Sequence, residues 1–181
     1  MTRDLQLTSV PTWATTSGRP DADLSGRSWT VVGFGGEARA VVQLWTAQIC
    51  AQHPDAEIRV HLTDNGQDAG AAAAVSVDLS DALVGWRLMI AGPADACLRL
   101  RAHALRCGVA DDEMVVASTE VDVRDVLCAH CGARSRAEVN IEDVTPCSGC
   151  HRNLFVYYHV SRLQGAYLGF MADAEQPAGA L

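Results

Sequence analysis

Cys128, Cys131, Cys147 and Cys150 carry the clearest chemistry in this chain. Two residues separate the members of each pair and fifteen separate the pairs, a spacing that suits a tetrahedral four-thiolate metal centre. A two-residue spacer curls the backbone so that both thiolates of a pair face one point, and the intervening hairpin returns the second pair to complete the tetrahedron. Gly132, just after Cys131, and Gly149, inside the second pair, supply the backbone freedom such knuckles need. The four cysteines are therefore the predicted metal ligands. Zinc is the expected ion, and a rubredoxin-like iron site, built from the same four thiolates, stays open as the alternative. Ala129 and Ser148 occupy places where rubredoxin knuckles carry proline, and His151 stands where the second glycine would be, which favours zinc. His130 and His151 flank the cysteines; with four thiolates available they are expected to be exposed or supporting imidazoles. A metal also gives a segment of about fifty residues, poor in large apolar side chains, the staple it needs to fold.

No other constellation has comparable definition. Gly33-Phe34-Gly35-Gly36 stands between a strand pattern and a helix pattern, where α/β proteins hold phosphates on helix-terminal amides. It does not complete G-x-G-x-x-G: Arg39 takes the place of the third glycine and Glu37 adds negative charge, so a tight structural turn is expected. Asp64, Asp68, Asp78 and Asp81 read as solvated loop and cap residues. His53, His61 and His103 fall in three separate elements and read as surface or packing residues. No catalytic dyad or triad and no cofactor-binding residue is predicted.

The elements that must position the cysteines fall into two groups. Trp29 to Val32 reads as a strand, followed by a helix through Ala38, Val41, Val42, Trp45 and Ile49. Ile58 to Leu62 is a second strand, Thr63 to Gly70 a loop, and Trp86 to Ile90 a third strand. A second helix follows, with Ala94, Cys97, Leu98, Arg101 and Leu105 as its inward stripe and Gly108 at its end, and Met114 to Val116 supplies another strand. This alternation predicts a parallel sheet flanked by helices. Beyond Asp125 the pattern changes to short strands: one through Ala137, Val139 and Ile141, another over Leu154 to Val160, with the cysteine pairs at strand ends. The expected organisation is an irregular arm over 1–28, an α/β domain over 29–119, a β-rich four-cysteine ribbon over 120–175 and a tail over 176–181.

The chain has 181 residues, nearly half of them hydrophobic, enough for one full-sized domain and a smaller appendage. The first eighteen residues lack the apolar run of a secretion signal, and no stretch reaches the length of a membrane span. Seven cysteines, three of them isolated, do not form a secreted disulfide framework, so the reducing cytoplasm is the expected compartment. A formal net charge of −8 with no basic stripe disfavours nucleic acid as a partner, although a nucleic-acid-binding zinc ribbon remains the weaker alternative.

The segment from Cys128-Ala129-His130-Cys131 through Pro146-Cys147-Ser148-Gly149-Cys150 to Leu154–Arg162 and Gly165–Phe170 resembles the small DmmA-type subunit of bacterial dimethylamine monooxygenase. The strand before Gly33 and the Gly92-Pro93 turn resemble, in degenerate form, the nicotinamide-binding domain of ferredoxin-reductase-like proteins. Ala91 stands where such reductases carry cysteine, and 28 residues precede Trp29, where they carry a flavin-binding barrel. The resemblance implies a hetero-oligomeric oxidoreductase that uses NADPH and oxygen to convert dimethylamine to methylamine and formaldehyde. It places haem, flavin and iron–sulfur chemistry on partner subunits and makes this chain a non-catalytic accessory subunit. An iron electron-transfer component of such an oxygenase is the alternative. The aromatic residues Phe155, Tyr157, Tyr158, Tyr167 and Phe170 are expected partly to fill the module's core and partly to cover a partner.

Overall fold

The computed structural model describes residues 7–172. Strands and helices alternate first: β1 (Ser28–Phe34), α1 (Gly35–Gln52), β2 (Glu57–Thr63), α2 (Asp68–Ser80), β3 (Trp86–Gly92), α3 (Ala94–Arg106) and β4 (Met114–Ser118). These four strands pair in parallel in the order β2-β1-β3-β4. The central strands β1 and β3 are covered on both faces, which is why they read as nearly unbroken apolar runs. On one face Val41, Trp45 and Ile49 of α1 pack against Trp29, Val31 and Met89. On the other, Val75 of α2 and Cys97 and Leu100 of α3 pack against Val32, Leu88 and Ile90. The predicted parallel sheet flanked by helices is the observed architecture.

The second group of strands is β5 (Val123–Cys128), β6 (Arg134–Glu138), β7 (Val144–Pro146), β8 (Asn153–Ser161) and β9 (Ala166–Met171), in the order β6-β5-β9-β8-β7. Only β5 and β9 run parallel; the remaining neighbours are antiparallel. Val126, Leu154, Val156, Val160 and Tyr167 form the core of this sheet, together with Cys128 and Cys147. Among the described residues no helix is long and apolar enough to cross a membrane.

Four sequence expectations are corrected. The loop expected over Thr63 to Gly70 stops short, because α2 begins at Asp68 and runs through the alanine-rich stretch. Alanine favours helix strongly but gives little contrast between faces, so the periodicity was faint. The strand expected through Ala137, Val139 and Ile141 ends at Glu138. Beyond it the Asn140 amide donates to Asp143 Oδ2 at 2.7 Å, closing a turn from which Val139 and Ile141 still pack into the core. The stripe expected on α3 is too narrow. Ala96, Cys97, Leu100 and Ala104 face the parallel layer while Leu98 faces the C-terminal sheet, so this helix is clasped from two sides, and Arg101 and Leu105 are only half-buried.

The arm expected to be unpacked is the fourth correction. Val10 and Ala14 are buried in the core of the C-terminal sheet, and Gly18 bridges to Ser118 beside β4. Tyr167 Oη donates to the Ala14 carbonyl at 3.1 Å, and Trp45 Nε1 donates to the Pro20 carbonyl at 2.8 Å. Scattered single anchors of this kind leave no period in a sequence. The first residues of the arm and the tail expected over 176–181 lie outside the described residues.

Candidate metal centre

Cys128 closes β5 and Cys131 sits in the turn to β6; Cys147 follows β7 and Cys150 precedes β8. The pairs therefore stand at strand ends, as their sequence setting implied. The two turns repeat one backbone pattern. The Cys128 carbonyl accepts from the Gly132 amide at 2.9 Å, and the Cys147 carbonyl accepts from the His151 amide at 3.0 Å. The Cys128 amide donates to the Ala133 carbonyl, and the Cys147 amide to the Arg152 carbonyl, both at 2.9 Å. Gly132 and His151, the matching residues, are both in the left-handed region, at φ 73° and 59°. Glycine adopts that conformation freely, whereas histidine is held there by its surroundings. Gly149 is needed for space: a Cβ there would lie 2.6 Å from Ala133 Cβ and 3.3 Å from Cys131 Sγ.

These turns bring all four Sγ atoms within 4.8 Å of one another. Cys128 and Cys150 are 3.9 Å apart at sulfur, and Cys131 and Cys147 are 3.5 Å apart. A tetrahedral ion with metal–sulfur bonds of about 2.3 Å requires sulfurs about 3.8 Å apart. The donor set and its size fit a single ion. Cys128 and Cys147 are buried against the sheet core while Cys131 is exposed and Cys150 half-buried, so the centre has one dry side and one facing solvent.

The amides of Cys150 and Gly149 point at Cys147 Sγ and hold its thiol down, to about 6. At Cys131 the Ala133 amide acts in the same direction, but desolvation and the neighbouring thiols outweigh it and push the thiol up to about 11. These amides favour the thiolate at Cys147, and the cluster must release protons when a cation enters. His130 and His151 are exposed and stand outside the four-sulfur group.

The glycine segment is a tight strand-to-helix turn, as expected: Phe34 is buried at the end of β1, and Gly35 and Gly36 already belong to α1. His53 bonds the Leu24 carbonyl and His103 bonds Ser76, each a structural role. Asp64 and Asp81 are exposed, as expected. Asp68 and Asp78 are not solvated caps. Asp68 receives both Nε and a terminal nitrogen of Arg99. Asp78 is buried and accepts from His61 Nε2 at 2.7 Å, Thr30 Oγ1 at 2.9 Å and Arg59 at 3.2 Å. Burial pushes its carboxyl up, but these bonds outweigh burial and hold it below the ordinary value. Asp78 lies on the same stripe of α2 as Ala71 and Val75, the signal that marks it as inward once the helix is recognised.

A parallel α/β layer packed on a sheet that carries a four-cysteine double knuckle defines a two-layered class of protein with a cluster able to hold a metal ion. Residues 125–170 match the family model described as the C-terminal domain of dimethylamine monooxygenase subunit DmmA-like proteins. The C-terminal module is thus of the DmmA type, as its cysteines and aromatic strands implied. The chain is also similar to the heme-dependent oxidative N-demethylase delta subunit of Ectopseudomonas mendocina (strain ymp), with 38% identity over 103 residues. That alignment covers 57% of this chain and 58% of the relative, less than two thirds of the relative's length. No solved structure matches the chain.

Proposed function

We propose that this chain is a non-catalytic accessory subunit of an N-demethylating, multisubunit oxygenase, with zinc held by Cys128, Cys131, Cys147 and Cys150. The observation that carries this reading is the convergence of four sulfurs inside the very segment, 125–170, that matches the DmmA-like domain. Four thiolates complete a tetrahedron and leave no open position for a substrate, the arrangement of a structural zinc site. Dimethylamine as substrate, NADPH as reductant, and haem, flavin and iron–sulfur groups on partner subunits follow from the resemblance, and a cytoplasmic setting follows from the cysteine usage. In this reading residues 29–119 and 120–175 act as two modules.

The parallel layer is best read as a degenerate nicotinamide-binding fold. Such folds hold nucleotides beyond the carboxyl ends of the central strands, where β1 and β3 end here. Beside the end of β3, the first turns of α3 are engaged by the protein itself. The Ala94 amide at the start of α3 is spent on the Glu120 carbonyl at 2.8 Å. Asp125 of β5 pairs with Arg99 at 2.6 Å, and Arg136 of β6 pairs with the buried Asp95 at 2.7 Å, so the C-terminal sheet closes over the site.

Docking is assigned to the aromatic face of β8 and β9. Phe155 and Phe170 stand opposite each other across the strands, and Tyr157 lies edge-on to both, with ring centroids 6.4 and 5.4 Å away. Val144, paired with Phe155, and Phe170 remain 51% and 44% exposed, so they place apolar surface beside this aromatic cluster. Co-expression with the other subunits tests the assignment. A Val144→Glu, Phe170→Glu variant should keep its metal and fold yet lose co-elution; elution with the complex at wild-type yield would refute docking through this face.

A further inference from the structure

A second cleft lies away from the sulfur centre, between α2, α3 and the C-terminal sheet. It has a volume of about 280 Å³ and is lined by Asp68, Arg99, His103, Arg106, Arg134 and Gln164. Arg106 comes from the last turn of α3 and Arg134 from the first residue of β6, yet both donate to adjacent carbonyls of one turn, those of Leu163 and Gln164. That turn is seated directly on α3, where the left-handed Gly165 packs against the Leu98 carbonyl with no room for a side chain. The two guanidinium groups are therefore held in place and close together.

Neither has a carboxylate partner among the described residues. The one acid in the cleft, Asp68, is already engaged by two nitrogens of Arg99, which also reaches Asp95 and Asp125. Two like charges fixed on neighbouring carbonyls repel each other, and each has donors to spare, since a guanidinium carries five and these use one or two. In a chain of formal charge −8, such a local excess of positive charge is built against the overall balance. Two guanidinium forks lining one cleft supply the donors that bind phosphate or carboxylate oxygens bidentately.

We infer that this cleft is an anion-binding site for a small phosphate- or carboxylate-bearing molecule, gripped by Arg106 and Arg134. A ligand there would tie α3 to β6 and the 162–165 turn, and so join the parallel layer to the C-terminal sheet. The inference is independent of which metal the cysteines hold.

The test is calorimetric titration of the full-length chain with inorganic phosphate and, separately, with succinate, at constant ionic strength. Saturable one-to-one binding of at least one of them is expected, and the arm that binds more tightly identifies the ligand chemistry. An Arg106→Gln, Arg134→Gln variant should bind at least tenfold more weakly, while Arg152→Gln, whose guanidinium contacts Met171 instead, should bind as the wild type does. Because both arginines also hold the turn, the wild-type chain is additionally treated with phenylglyoxal. The better-binding anion should slow modification of Arg106 and Arg134 at least severalfold and leave Arg152 unaffected. Absence of saturable binding to either anion, unchanged affinity in the double variant, or equal modification rates with and without anion would each overturn the assignment.

Discussion

Trp29, Val31, Val32, Leu88, Met89 and Ile90 give the parallel layer a core covered from both faces by helices. The C-terminal sheet draws on a smaller apolar set, and two of its core members are the cysteines Cys128 and Cys147. The first region is held by area removed from water, at about 25 cal/mol per Å². The second sits where such area runs short, and in the proposed reading a metal on its four cysteines would supply what packing does not. One chain would thus combine two kinds of stability, which should fail under different insults.

The largest effect separates the two most cleanly. Cys131→Ser should release the metal and unfold β5 to β9, while the helices of the parallel layer persist in circular dichroism. Hydrogen exchange should then be fast over 123–171 and stay slow over β1 and β3. Uniformly fast exchange would show one cooperative unit instead of two. Trp45→Ala is the reverse experiment. It should cost about 3–5 kcal/mol in urea denaturation, from lost packing and a cavity under β1, with the metal still bound at full stoichiometry in the folded protein.

Asp78→Asn should cost about 2 kcal/mol, because the buried carboxylate accepts three side-chain bonds. The same group sets an acid limit. Its folded value lies below the ordinary 3.8, so the unfolded chain binds more protons in that window. Its contribution is complete above about pH 4 and is lost as pH falls through the folded value, a slope the Asn variant should lack. The smallest effect joins the regions: Tyr167→Phe removes the bond to the Ala14 carbonyl and should cost about 1 kcal/mol. Exchange should quicken first in residues 10–18 if that bond anchors the arm.

Legibility in the sequence cut across both regions and separated local pattern from tertiary placement. The convergence of the four cysteines could be read because they are rare residues at short, fixed intervals and depend on local backbone geometry alone. Strands β1 and β3 could be read because burial on both faces makes them continuously apolar. Helix α2 was hidden by alanines, which supply propensity without contrast, and with it Asp78 was mistaken for a surface acid. The packed arm and the double burial of α3 depend on where a second sheet falls in space, and no local pattern encodes that. The Arg99 network is of the same kind, since its acids Asp68, Asp95 and Asp125 come from three separate elements.

In the proposed function the four sulfurs hold a structural ion. Elemental analysis of the purified, untagged chain, paired with a visible spectrum before and after chelation, tests this most directly. We predict one zinc per chain, no visible absorption, and loss of the C-terminal sheet's exchange protection once the zinc is stripped. One iron per chain with visible absorption, or a sheet that keeps its protection without any metal, would contradict it.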